Sequence, residues 1–175
     1  MKRPLIWLPL LAFVALLAVI AGGLFRPADR TVRSALVGQA LPNFALPAMI
    51  AGKPGLTNAD FRDRQPRLLN VFASWCVPCI AEAPQLMAIK RAGVPIDAIA
   101  IRDTVPAVAE FLARNGDPYA RIGSDPASQV QLALGSSGVP ESFVIDGSGR
   151  IVLQHVGAIT ADDVPEIVAA VKRAR

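Results

Sequence analysis

The only two cysteines of the chain stand three positions apart, in Trp75-Cys76-Val77-Pro78-Cys79. Two thiols at that spacing can close a disulfide and exchange it with another molecule. Arg67 to Ala73 is a short apolar run consistent with a buried strand, and a helix should begin at the cysteines and continue to about Arg91. A helix opening there gives the first cysteine unpaired backbone N–H groups and the positive end of the helix dipole. Both favour thiolate, which draws the thiol below its free pKa of about 8.5, towards about 7 in dithiol sites of this kind. Cys76 is therefore expected as the exposed nucleophile, and Cys79, one turn later and deeper, as the resolving thiol. Pro78 has no N–H to donate and Val77 adds no charge, so the couple should be only mildly oxidising. Half a metal site, or two incidental thiols, is the competing interpretation. One pair without a second pair or nearby histidines gives poor tetrahedral zinc ligation. A structural staple fits worse, because so short a loop scarcely constrains an unfolded chain and stapled domains carry more cysteines.

The surrounding elements are those of an α/β domain. Leu41 to Pro47 alternates between two prolines and suits a short edge strand; Ala51 to Gly55 is a turn; Thr57 caps one helical turn through Phe61. Pro84 falls inside the cysteine helix and should kink it. Ile96 to Ile101 is the next strand, and Pro106 suits the first position of a helix whose apolar stripe is Val108, Phe111 and Leu112. A brief strand near Ala120 to Ile122 and a short helix from Pro126 to Leu132 follow. Ser142 to Ile145 and Ile151 to His155 are strands joined by Asp146-Gly147-Ser148-Gly149, a hairpin signal. Thr160 should cap a last helix, with Asp162 and Asp163 in its first turn and Lys172, Arg173 and Arg175 at its end. The order indicates helices packed around a mixed sheet.

The chain has 175 residues and a hydrophobic fraction of 53%, with the excess at one end. Leu5 to Phe25 carries no charged side chain, and 21 residues at about 1.5 Å each just cross a hydrocarbon core of roughly 30 Å. Behind Lys2 and Arg3 this is expected to be an uncleaved transmembrane signal anchor, being longer than a usual cleaved signal; Val19-Ile20-Ala21 keeps cleavage open. The expected layout is residues 1–4 before the membrane, 5–25 across it, 26–36 as a charged linker and 37–175 as one domain. Arg26, Arg30 and Arg33 after the span weaken the positive-inside bias, so the flanking charges leave the orientation open. Net charge is +4 from 18 basic and 14 acidic residues, and +2 without Lys2 and Arg3. No arginine-rich face with interleaved aromatics appears, which argues against nucleic acid as a partner.

The segment Leu69-Asn70-Val71-Phe72-Ala73-Ser74-Trp75-Cys76-Val77-Pro78-Cys79 closely resembles the thioredoxin-like proteins of cytochrome c maturation, the DsbE/CcmG family. Gly38 to Phe44, Asn115-Gly116-Asp117-Pro118-Tyr119, Gly138-Val139-Pro140-Glu141-Ser142-Phe143 and Ile145-Asp146-Gly147 extend the resemblance from about Gly38 to the C-terminus. It implies a thioredoxin-like fold and a periplasmic protein-disulfide reductase tethered to the inner membrane, with the N-terminus in the cytoplasm. Its partners would be apocytochrome c, whose haem-attachment cysteines it keeps reduced, or a thiol-carrying maturation protein. A membrane reductase of the DsbD/CcdA type would supply electrons. No cofactor beyond the Cys76–Cys79 dithiol and no metal is implied, and the chain is expected to be a monomer.

The resemblance also suggests roles. Val139-Pro140 matches the family's cis-proline loop opposite the cysteines, where exposed backbone groups can pair with substrate as an added strand. Trp75 is expected to cover the edge of the site as a contact surface, a core position being the alternative. Asn70 stands where many thioredoxins bury an aspartate, and an amide cannot serve as base. Glu82, one turn after Cys79, and Glu141, beside Pro140, are the carboxylates that could move a proton to or from Cys79. Glu141 is preferred because its loop must lie close to the sulfurs; Glu82 reads equally well as part of a solvated helix face. His155 reads as surface or hairpin filler. The family often has Asn-Tyr-Lys-Asp where this chain has Ala100-Ile101-Arg102-Asp103, so no role passes to Arg102 or Asp103.

Competing interpretations are a periplasmic reductase of the TlpA or ResA type, serving other disulfides or copper-site assembly, and a Cu(I)-binding chaperone using both thiolates. A peroxiredoxin fits worse, since it needs Thr where Ala73 stands.

Overall fold

A computed structural model describes residues 7–24 and 36–174. The first helix, α1, is Leu8–Leu24, with Pro9 in the opening turn where its missing N–H costs little. Its 17 residues are shorter than the 21-residue span expected, and among the described residues no helix is long and apolar enough to cross a membrane. The expected cytoplasmic stub, and all of the linker but Leu36, lie outside the described residues.

The domain is built on a five-stranded mixed sheet. Its strands are β3 (Arg67–Phe72), β4 (Ile96–Ile101), β5 (Ile122–Asp125), β6 (Glu141–Ile145) and β7 (Ile151–Val156), in the order β5-β4-β3-β6-β7. β3, β4 and β5 run parallel, while β6 and β7 form an antiparallel hairpin against the other edge of β3. A small separate sheet pairs β1 (Ala45–Leu46) with β2 (Leu56–Thr57). The expected edge strand shrinks to two residues because Pro42 and Pro47 cannot donate to a ladder. The 3-10 turn Asn58–Phe61 follows, with Thr57 N–H and Oγ1 both donating to Asp60 Oδ2 at 2.8 Å.

β3 and β4 are buried along their whole length, which is why they read as continuous apolar runs. Helices α2 (Val77–Arg91), α3 (Val105–Asn115), α4 (Gln129–Ala133) and α5 (Val164–Arg173) complete the domain. Phe72 at the end of β3 meets Phe111 of α3 and stacks on Tyr119, ring centroids 5.4 and 5.0 Å apart.

Several boundaries differ from the sequence expectation, and at α4 and α5 a local cap is the reason. β5 starts at Ile122 instead of Ala120, and α4 starts at Gln129 instead of Pro126. The Asp125 carboxylate accepts from the N–H groups of Gln129, Val130 and Gln131 at 2.9, 2.9 and 3.0 Å, so the helix opens only beyond it. Thr160 does not cap α5: its N–H and hydroxyl donate to Asp163 Oδ2 in a turn before the helix, and Asp163 is the capping residue. In α3, Pro106 is the second helical residue behind Thr104 and Val105.

Candidate active site

The C-terminal end of β3 runs straight into the cysteines. Cys76 has extended backbone and caps α2, its sulfur accepting from the Cys79 N–H at 3.2 Å. The two sulfurs are joined in a disulfide. Cys76 is only 4% exposed and Cys79 1%, so in this oxidised form the expected contrast between an exposed and a deep sulfur is nearly absent. The sulfur of Cys76 is turned to the first turn of its own helix, where it meets the Cys79 N–H. Val77 and Pro78 outside it are exposed, and Pro84 lies within α2.

The turn before Cys76 is fastened from the loop that follows β4. Asp103 Oδ2 accepts from Ser74 N–H at 2.5 Å and Oδ1 from the Ser74 hydroxyl at 2.8 Å. Trp75 is 56% exposed, on the surface and not in the core, and its Nε1 donates to the Arg102 carbonyl at 3.1 Å. Sequence reasoning gave Arg102 and Asp103 no part in the site, and they fix both residues that precede Cys76. The Val139–Pro140 peptide is cis. Its loop shares a groove of about 310 Å³ with Trp75, Ile101, Arg102 and Gln131. Gly138 C=O accepts from Gln131 Nε2 at 3.2 Å and Ser136 Oγ at 3.0 Å, which pins that turn.

Glu82 is fully buried, correcting the solvated-face interpretation. Its Oε1 accepts from Asn70 Nδ2 at 3.0 Å and its Oε2 from Ile159 N–H at 3.0 Å. Asn70 and Ser142 are register partners across β3 and β6, so their side chains share a face, and Asn70 Nδ2 also donates to Ser142 Oγ at 3.0 Å. Tyr119, from the Asn-Gly-Asp-Pro-Tyr stretch, donates its hydroxyl to Asn70 Oδ1 at 2.8 Å. Burial pushes the Tyr119 phenol well above its ordinary range, helped by the Glu82 charge, so it remains a donor. That donor fixes the amide so that its NH2 faces Glu82. Burial raises the Glu82 carboxyl from 4.5 to about 7, opposed by the Ile159 and Asn70 bonds. All of these donors are neutral.

Glu141, the carboxylate favoured from sequence, is also buried, but it is the register partner of Val71. Strand alternation therefore turns it to the face away from Asn70 and Ser142. There it accepts from Ser137 N–H at 3.1 Å and from the Gln154 amide. His155 is buried, correcting the surface interpretation: it is the register partner of Ser142, with Nε2 3.4 Å from Ala158 C=O.

Two-electron thiol–disulfide exchange is the chemistry open to a dithiol so placed. The pattern of the redoxin family matches residues 36–171. The thiol:disulfide interchange protein HelX of Rhodobacter capsulatus is 38% identical over 162 residues, 93% of this chain and 92% of that protein. The thiol:disulfide interchange protein DsbE of Escherichia coli K12 is 34% identical over 163 residues, 90% and 87% of the two chains. A crystal structure of a thioredoxin-family thiol:disulfide interchange protein from Chlorobium tepidum matches with a TM-score of 0.61 at 25% identity, covering 80% of this chain and 99% of that one. The chain belongs to the redoxin family and, within it, to the thiol:disulfide interchange proteins of the DsbE and HelX kind. It is a thiol–disulfide oxidoreductase.

Proposed function

We propose that the chain is a membrane-anchored periplasmic reductant of cytochrome c maturation, with residues 5–25 as the anchor and the dithiol domain outside. The observation that supports it most is the similarity to HelX over 93% of the chain, which leaves too few residues unmatched to exclude α1. The reduced protein attacks the disulfide of apocytochrome c, or of a thiol-carrying maturation partner, through the Cys76 thiolate. A mixed disulfide forms and one substrate thiolate leaves. Cys79 then attacks the Cys76 sulfur, releasing the second substrate thiolate and closing Cys76–Cys79; two electrons pass to the substrate and its two thiolates take up protons. A DsbD/CcdA-type membrane dithiol reverses the last step on the enzyme.

Val139 and Pro140 line the path of the substrate strand and Trp75 its edge. Glu82, and not Glu141, takes the proton of Cys79: the two lie three residues apart on one face of α2, and a carboxyl titrating near 7 is matched to that transfer. Complementation of a strain lacking its own DsbE-type protein tests the pathway. Cys76→Ser should abolish cytochrome c assembly, and Cys79→Ser should accumulate a mixed disulfide with the partner. Normal assembly in the Cys76→Ser strain would sink the proposal. The couple should sit between about −180 and −270 mV, and a value near about −120 mV would reverse the direction of electron flow.

A further inference from the structure

We infer that Arg102 is a specificity residue for the reacting polypeptide, selecting segments that carry an Asp or Glu side chain beside the cysteine to be reduced. The inference rests on the exchange at Cys76 proposed above and adds what the partner segment must look like.

The groove between Trp75 and the cis-proline loop has one charged residue in its lining, Arg102. The carboxylates that would otherwise make this surround acidic do not reach it. Glu82 and Glu141 are closed inside the domain, Asp103 is turned to Ser74, and Asp125 is occupied by the first turn of α4. No carboxylate among the described residues forms an ion pair with Arg102.

Arg102 is also held, not loose. Its Nε donates to Ser128 Oγ at 3.0 Å, and Ser128 is fully buried. Its carbonyl carries the Trp75 indole, and its backbone φ of 46° lies in the left-handed region that side chains other than glycine rarely adopt. Such conformations persist where the surroundings over-determine them, and they gather at binding sites. Anchored through Nε, the guanidinium keeps its terminal N–H donors for a carboxylate, which its planar fork suits.

The other wall supplies the pairing edge. Neither the N–H nor the C=O of Val139 has a hydrogen-bond partner among the described residues, while Gly138 C=O is already taken by Gln131 and Ser136. An extended segment that pairs with Val139 lies along a groove whose single charge is positive. A lysine beside the reacting cysteine is repelled there and a carboxylate is drawn in.

The test uses the full chain, reduced, in detergent micelles, and three disulfide-containing peptides that differ only in Glu, Gln or Lys next to the reacting cysteine. Second-order reduction rates should fall in the order Glu, Gln, Lys, by roughly two- to fivefold per step at low salt, the range of a partly exposed ion pair. The spread should collapse at about 0.5 M salt, where the Debye length is a few ångströms. Arg102→Glu should invert the order and Arg102→Lys should keep it. Equal rates for the three peptides at low salt would overturn the inference while leaving exchange intact. So would a folded Arg102→Glu protein that keeps the original order. Reduction of none of the peptides would overturn the exchange reading and this inference with it. If Arg102→Glu does not fold, the salt dependence and Arg102→Lys still decide.

Discussion

β3 is the backbone of two buried carboxylate sites, one on each face, and they are solved differently. On one face Asp97, wholly buried, meets Arg67, whose Nη1 donates to Asp97 Oδ2 at 3.0 Å. On the other face Glu82, equally buried, meets among the described residues the Asn70 amide and the Ile159 N–H. Burial raises both carboxyls; at Asp97 the hydrogen bond and charge of Arg67 oppose it, at Glu82 only neutral dipoles do. A cation opposes the shift that burial imposes and ties the carboxylate into a strut. Neutral donors leave it able to change protonation near neutral pH, and the site that can change is the one on the helix that carries Cys79.

The largest expected effect comes from removing the cation. Arg67→Leu leaves Asp97 as an uncompensated buried charge and should cost about 3–5 kcal/mol in urea unfolding. Replacing Asp97 by Leu as well should recover most of it, and the pH profile of exchange should not move in either variant. A loss below about 1 kcal/mol in the single variant would mean the pair is no strut.

The complementary substitution, Glu82→Gln, should slow the resolving step by about a hundredfold, the low end of general acid–base contributions, and erase its inflection near pH 7. Rapid-mixing kinetics across pH 5–9 would read both; a surviving inflection assigns the titration to another group.

The same carboxyl has a thermodynamic signature. Its folded pKa is raised, so the folded state holds a proton that the unfolded state has already released. Its contribution is complete below about pH 4.5 and is lost as the pH rises to about 7, up to roughly 3 kcal/mol. Denaturation midpoints of the wild type should fall over that window, and the Glu82→Gln midpoints should fall less.

The smallest effect is expected at Tyr119→Phe, which removes one neutral hydrogen bond to Asn70 and should cost about 1 kcal/mol. If the Glu82 inflection also shifts, the phenol is what orients the amide.

The sequence made legible whatever is encoded by neighbours. Cys76 and Cys79, the apolar runs of β3 and β4, the 146–149 turn and the helix after the cysteines are all set by residues a few positions apart. The sites that depend on long closures were not legible. Asp103 reaches Ser74 across 29 residues, and Tyr119 reaches Asn70 across 49. The face of the sheet that Glu141 occupies also escaped. It depends on strand register, because one position along β6 decides which face of the sheet a side chain occupies. For Glu82, spacing after Cys79 gave its place on the helix but not what lay above it.

Glu82 receives its last partner from Ile159, 77 residues further along the chain. During synthesis both cysteines emerge long before that residue does. A nascent chain can therefore carry two complete thiols and the start of their helix while the Glu82 carboxyl is still an ordinary solvated acid. The raised pKa of Glu82 therefore belongs to the folded domain as a whole: its burial and the last of its hydrogen bonds are complete only when the segment holding Ile159 docks.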